Sequence, residues 1–311
     1  MLSRRSVRIK AMQHLYMMDR DKTLTQEECI KSYDQTIDNV FELFLFHVYT
    51  LVQLARRAVE DAKKRSSKFI PTEEDVKFTP RLFTNPLIQW LATSKYLKKR
   101  AEEGNFDHFI NADVLNRLYR EFIPNEIYRE YLYGDGTVSD LDVVLELYRF
   151  CRKDDDFNDM MEDFCYCWLD DKSLLIGATK KLLKAIPADN DEELFLQFYP
   201  EKDKTEDLGK QLLLLAMEEW KNLDEIIRPV VENWDLERLA AIDLILLKMG
   251  VLEFLKFPTI HTSVTIVEYV ELAKQYSTER SKVFINGILD RILNILEEKE
   301  AIFKVVPDIR A

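Results

Sequence analysis

Glycine and proline are both scarce in this 311-residue chain, at 7 and 9 residues. A fold of many short strands needs turn residues about every 8–12 positions, so the shortage argues against a β sandwich or barrel and favours long helices. Cysteine is scarce too. Cys29, Cys151, Cys165 and Cys167 are too few and too scattered for the disulfide framework of a small secreted domain, and they fit a reducing cytosol. Cys165 and Cys167 form a C-x-C pair, but no second pair or nearby histidine completes a zinc set, and they read as core thiols. Long apolar runs are missing. The richest, "VFELFLFHVYTLVQLA" (40–55), is interrupted by Glu42, His47 and Gln53 and falls short of the ~20 residues of a spanning helix. The arginine-rich N-terminus is followed by no signal-peptide core. These absences together describe an all-α, cytoplasmic protein with no membrane association.

Reactive motifs are missing as well. There is no G-x-G-x-x-G and no P-loop, and His14, His47, His108 and His261 lie scattered, none in H-E-x-x-H or beside a nucleophile motif. The run Asp154, Asp155, Asp156, with Asp159 and Asp163 beyond, lacks the glycine and terminal glutamate of a calcium loop and reads as a helix N-terminus. Trp90, Trp168, Trp220 and Trp234 read as core or interface anchors. The expectation is a non-enzyme with no cofactor or metal.

What is present is helical pattern and one charge anomaly. The net charge is -12, which speaks against a general nucleic-acid binder. Yet Arg4, Arg5, Arg8 and Lys10 precede the first carboxylate, Asp19, so the N-terminus is a basic end on an acidic chain. On physics alone a solvated cationic face and a phosphate-binding face both remain open. Val7, Ala11, Leu15 and Met18 give that segment one apolar helical face, and a Thr25/Glu28 capping box opens a helical stretch to about Ser66. Pro71, Pro80 and Pro86 punctuate an irregular segment. Helices are predicted over 86–104, 107–121, 125–133, from a Ser139/Asp142 capping box onward to Pro187, and from Asp189 to Pro200. Four more follow at about 206–228, 235–256, 262–276 and 279–297. In the last of these, "SKVFINGILDRI" places Asn286-Gly287, a turn signal, inside a helical apolar pattern. A mid-helix glycine costs about 1 kcal/mol relative to alanine, and the expected compensation is close approach of another helix at Gly287.

Four motifs in order carry a resemblance: "RRSVRIKAMQHLY", "WDLERLAAIDLILLKMGVLEFL", "VEYVELAKQYS" and "SKVFINGILDRI". The pattern is similar to that of the NusB family of transcription antitermination factors, with its arginine-rich first helix ending in Q-x-L-Y, its W-x-L-[DE]-R helix start and its F-[VI]-N-G-[VI]-L-D helix. It covers about residues 1–20 and 205–297. The resemblance implies paired helical bundles, with residues 1–65 and 201–311 forming the family core and 66–200 an additional helical insertion. It also implies binding of single-stranded boxA-type RNA together with the ribosomal protein NusE, within the antitermination complex of RNA polymerase. Carried over residue by residue, Arg4, Arg5 and Arg8 match the arginine arm, Tyr16 the Q-x-L-Y tyrosine and Phe284 the aromatic of F-x-N-G, with Lys282 beside it as a further cation. Asp243 falls where the family places an acidic residue at the edge of the NusE contact. Two positions depart from the pattern: Val267 replaces an asparagine, and Arg280 stands where some members carry an acidic residue that affects the partner. The alternative is a protein-interaction module of the same fold with weak or no RNA binding. A related helical domain also precedes RNA cytosine methyltransferases, but the cofactor loop of those enzymes has no counterpart here.

Overall fold

The computed structural model describes residues 1–231 and 240–305. Among these, every regular element is helical, as the composition requires. The chain divides into two compact units. A terminal unit comprises Leu2–Ile37 and Pro200–Ala311, and a central unit comprises Met1 and Asp38–Tyr199. The division therefore falls inside the second helix and not at the expected 65/66 boundary.

Helix α1 (Arg4–Arg20) begins where the Ser3 hydroxyl accepts the Ser6 amide, and it buries Val7, Ala11 and Leu15. Helix α2 (Gln26–Ser66) opens on the expected reciprocal cap, with the Thr25 amide donating to Glu28 at 3.0 Å and the Glu28 amide to the Thr25 hydroxyl at 3.2 Å. The central unit continues through α3 (Glu73–Lys77), α4 (Arg81–Thr84), α5 (Pro86–Thr93), α6 (Lys95–Glu103), α7 (Phe106–Phe109) and α8 (Ala112–Phe122). It ends with α9 (Glu126–Tyr133), α10 (Asp140–Cys151), α11 (Asp155–Phe164), α12 (Trp168–Ala185) and α13 (Asp191–Leu196). Side-chain caps punctuate it: Asn85, Ser94, Asn111, Asn125, Ser139 and Asp154 each accept an amide at the start of the next helix. Ser94 is why the helix expected over 86–104 is two.

The second half of α2 belongs to this unit because its apolar side chains build the core there. Phe46 stacks on Phe164 at 4.2 Å and meets the edges of Phe106 and Phe109. His47, fully buried, sits among Tyr148, Phe157 and Trp168 with both ring nitrogens unpartnered among the described residues, and burial pushes its pKa down to about 3. Cys165 and Cys167 are not separate core thiols. The turn between α11 and α12 brings their Cα atoms to 5.2 Å and they are disulfide-linked, whereas Cys29 and Cys151 are free and buried.

The terminal unit resumes with α14 (Lys202–Lys204), a π-helical turn at Thr205–Lys210, α15 (Gln211–Glu218), α16 (Trp220–Ile227) and a 3₁₀ turn at Arg228–Val231, so the helix expected over 206–228 is segmented. Then come α17 (Ala241–Lys256), α18 (Thr262–Tyr276) and α19 (Ser281–Glu298). The expected start of the 235–256 helix, with the whole W-x-L-E-R motif from Trp234, lies outside the described residues. Helix α17 is buried nearly all round, from Ile245 to Phe254, and is the centre of the unit. A side chain at Gly250 would come within 2.8 Å of the end of Leu289 on α19, and Gly209 is closed in by Tyr33 and Val7. These are the close-approach glycines. Gly287 is not: α19 runs unbroken through it, it lies on the exposed face, and a Cβ there would meet nothing within 4 Å.

Candidate RNA and partner interface

The basic end becomes the first two turns of α1, and its cations differ sharply in availability. Arg4 is exposed with no ion-pair partner among the described residues. Arg5 makes a two-pronged pair with Glu268 of α18, Nε to Oε2 at 2.8 Å and Nη2 to Oε1 at 2.9 Å. The pair holds the Glu268 carboxyl below its usual range and raises the guanidinium. Being part-exposed, it contributes at most about 1 kcal/mol, so a phosphate can compete for the arginine.

Arg8 has a different role from the one expected of it. It is 1% exposed and clamps Glu253 of α17, Nε to Oε1 at 2.6 Å and Nη2 to Oε2 at 3.0 Å. Tyr269 donates to the same carboxylate at 2.8 Å and Thr265 at 3.1 Å. Burial works against the Arg8 charge, but the pairing with Glu253 outweighs it and raises its pKa. Position along the helix explains the assignment: α1 is buried on every side from Val7 to Met12, so Arg8 is enclosed, whereas Arg4 and Arg5 lie in its exposed first turn. Lys10 is likewise buried. The sequence did contain a signal for this: Glu253 sits in "VLEFL", the middle of an otherwise apolar helix, and a buried carboxylate requires a cation.

Tyr16 lies twelve residues along α1 from Arg4, about 18 Å at 1.5 Å per residue, so the arm and the tyrosine are separate places. It is exposed, with the Arg20 guanidinium 5.0 Å from its ring centroid. Near it opens a pocket of ≈ 250 Å³ lined by Leu15, Met18, Asp19, Lys22, Met217 and Trp220. Lys248, buried with its Nζ 3.5 Å from the centre of the Trp220 ring and 2.9 Å from Asp224, supports the pocket from behind. Burial lowers the Lys248 pKa, opposed by Asp224. The motif reading did not mark this pocket; Met217 and Trp220, three residues apart, were its trace.

At the start of α19, Lys282 is exposed and Phe284 half-buried, one turn ahead of Ile288. Arg280 is exposed at the N-cap. Asp243 is not at an open edge. It is 6% exposed and accepts the Ser281 hydroxyl at 2.7 Å, tying α17 to the first turn of α19, which makes it a support for that turn and corrects its expected role as a contact residue. Its Oδ1 is buried without a partner among the described residues. Among those residues, no three His, Cys, Asp or Glu side chains are grouped as metal ligands, and no helix is long and apolar enough to cross a membrane.

A helical terminal unit with a cationic first helix and this set of C-terminal helices defines a class already known. Residues 175–294 match the sequence profile of the NusB family. The transcription antitermination protein NusB of Methylacidiphilum infernorum is 40% identical over 110 residues, 35% of this chain and 77% of that protein. Its counterpart in Salinibacter ruber is 39% identical over 99 residues, 32% of this chain and 62% of that protein, and the one in Natranaerobius thermophilus is 44% identical over 78 residues, 25% and 56%. The chain thus spans between about half and three quarters of these relatives. No solved structure matches it. The chain belongs to the NusB family.

Proposed function

We propose that this protein is an RNA-binding transcription antitermination factor that acts on boxA-type single-stranded RNA together with the ribosomal protein NusE. The single observation that carries the reading is the N-terminal arm: among the described residues Arg4 has no ion-pair partner and Arg5 is paired with one part-exposed carboxylate, on a chain of net charge -12. Family membership and the relatives' shared name support it. Arg4, Arg5 and Lys282 hold phosphates, and Phe284 offers a ring face to an unstacked base beside the α19 amides. Tyr16 and the adjoining pocket, lined by Met18, Met217 and Trp220, suit an apolar side chain of the protein partner. Arg280, exposed at the α19 N-cap, lies on the rim of that contact, with Asp243 holding its turn in place.

A second reading, a protein-interaction module with little RNA binding, is favoured by one observation: Arg8 and Lys10 are buried, which reduces the cations open to phosphate. Titrating the full chain with boxA-like RNA, with and without NusE, separates the two. The first reading expects RNA binding strengthened by NusE. NusE binding without any RNA affinity establishes the second.

A further inference from the structure

The central unit, of which only residues from 175 onward fall within the family match, carries a groove of ≈ 550 Å³ built from residues of α9, the turn after it, α10 and α12. Its floor is aliphatic: Ile127, Val138 and Leu145, each half-buried. Its rim holds Arg149, Lys180 and Lys184 against two carboxylates, Asp142 and Glu146. Both carboxylates are already engaged. Asp142 closes the capping box of α10, accepting the Ser139 hydroxyl at 2.6 Å, and Glu146 takes Arg149 at 2.7 Å and the Asn125 amide at 3.2 Å. Lys180 and Lys184 are exposed and have neither ion pair nor hydrogen bond among the described residues. They stand one turn apart on one face of α12, about 6 Å along its axis.

We propose that this groove docks an acidic peptide segment of a partner protein, with an apolar side chain seated on Ile127, Val138 and Leu145 and flanking carboxylates on Lys180 and Lys184. Two uncompensated ammonium groups over an aliphatic floor are complementary to acid-apolar-acid sequence, and the volume fits a few side chains. Nucleic acid is the poorer occupant, because no aromatic ring lines the groove to stack a base. An acidic chain that docks an acidic segment at one local cationic site also gains selectivity, since the rest of its surface repels the same ligand.

The test is fluorescence anisotropy of the full chain with a labelled peptide of glutamate pairs alternating with leucine, beside an all-glutamate peptide of equal length and an oligouridylate. The expected result is salt-sensitive binding of the leucine-bearing peptide. Lys180→Glu/Lys184→Glu should weaken it at least about tenfold with the thermal unfolding profile unchanged, and Lys180→Arg/Lys184→Arg should keep it within about twofold. The all-glutamate peptide should bind about tenfold more weakly, since it leaves the floor uncovered. Equal affinity for both peptides, equal affinity of the charge-reversed variant, absence of binding at millimolar peptide, or oligouridylate binding that depends on Lys180 and Lys184 would each overturn the proposal.

Discussion

Replacing Arg8 by alanine should strongly destabilise the terminal unit without any nucleic acid being involved. Glu253 is 0% exposed and receives four hydrogen bonds, two from Arg8 and one each from Tyr269 and Thr265. Arg8→Ala removes the two charge-assisted bonds and leaves a carboxylate out of reach of water with two neutral donors. Breaking one partner of such a pair costs about 3–5 kcal/mol, against a total stability of about 5–15 kcal/mol for a domain. Restoring an apolar pair should recover most of that loss, because Arg8→Met/Glu253→Leu removes the buried charge along with its partner. Urea unfolding at neutral pH, followed by circular dichroism, measures both variants. A loss below about 1 kcal/mol for Arg8→Ala, together with a clear loss of RNA affinity, would mean that Arg8 faces the ligand and that the buried network is misassigned.

Gly287→Ala should stabilise the protein by about 1 kcal/mol, since the added methyl enters open space on a continuous helix; a loss of stability in a thermal melt would mean that the position is closed in. His47 binds a proton in the unfolded chain near pH 6.5 but in the folded chain only near 3, so stability should fall as pH drops below about 6.5, by on the order of 2 kcal/mol between pH 7 and 5. His47→Phe should remove that share of the acid sensitivity, and an unchanged pH profile would contradict the burial argument. Replacing residues 38–199 by a flexible linker should leave a terminal unit that unfolds cooperatively. Replacing only 66–199 strands Phe44, Phe46 and His47 without their core and should aggregate; soluble, cooperative behaviour of that shorter deletion would restore a boundary at 65/66.

Helix content and most helix starts were legible because they depend on local chemistry. Thr25 with Glu28 and Ser139 with Asp142 cap as their spacing dictates. The places where reading failed are those fixed by distant partners. Nothing near Arg8 in the chain distinguishes it from Arg4 and Arg5; its partner is Glu253, and only the packing of α1 on α17 decides which arginine is spent inside. The domain edge at 37/38 was hidden because α2 is locally uniform, and the division depends on which side chains of distant helices cover Phe46 and His47. Gly287 was given the contact that Gly250 makes, since a sequence marks a glycine but not the neighbour that needs it. The Met18/Trp220 pocket and the Lys180/Lys184 groove are assembled from separate helices and left only scattered traces in the chain.

The most direct test of the central claim is the salt dependence of binding to boxA-like single-stranded RNA, wild type against Arg4→Ala/Arg5→Ala, a variant that leaves the buried Arg8–Glu253 pair in place. Phosphate contacts from Arg4, Arg5 and Lys282 predict a slope of log affinity on log salt of about -2, falling to about -0.7 when two are removed, with the melting temperature nearly unchanged. A slope that is the same in both proteins, or wild-type protein that binds no RNA with NusE present, would contradict it.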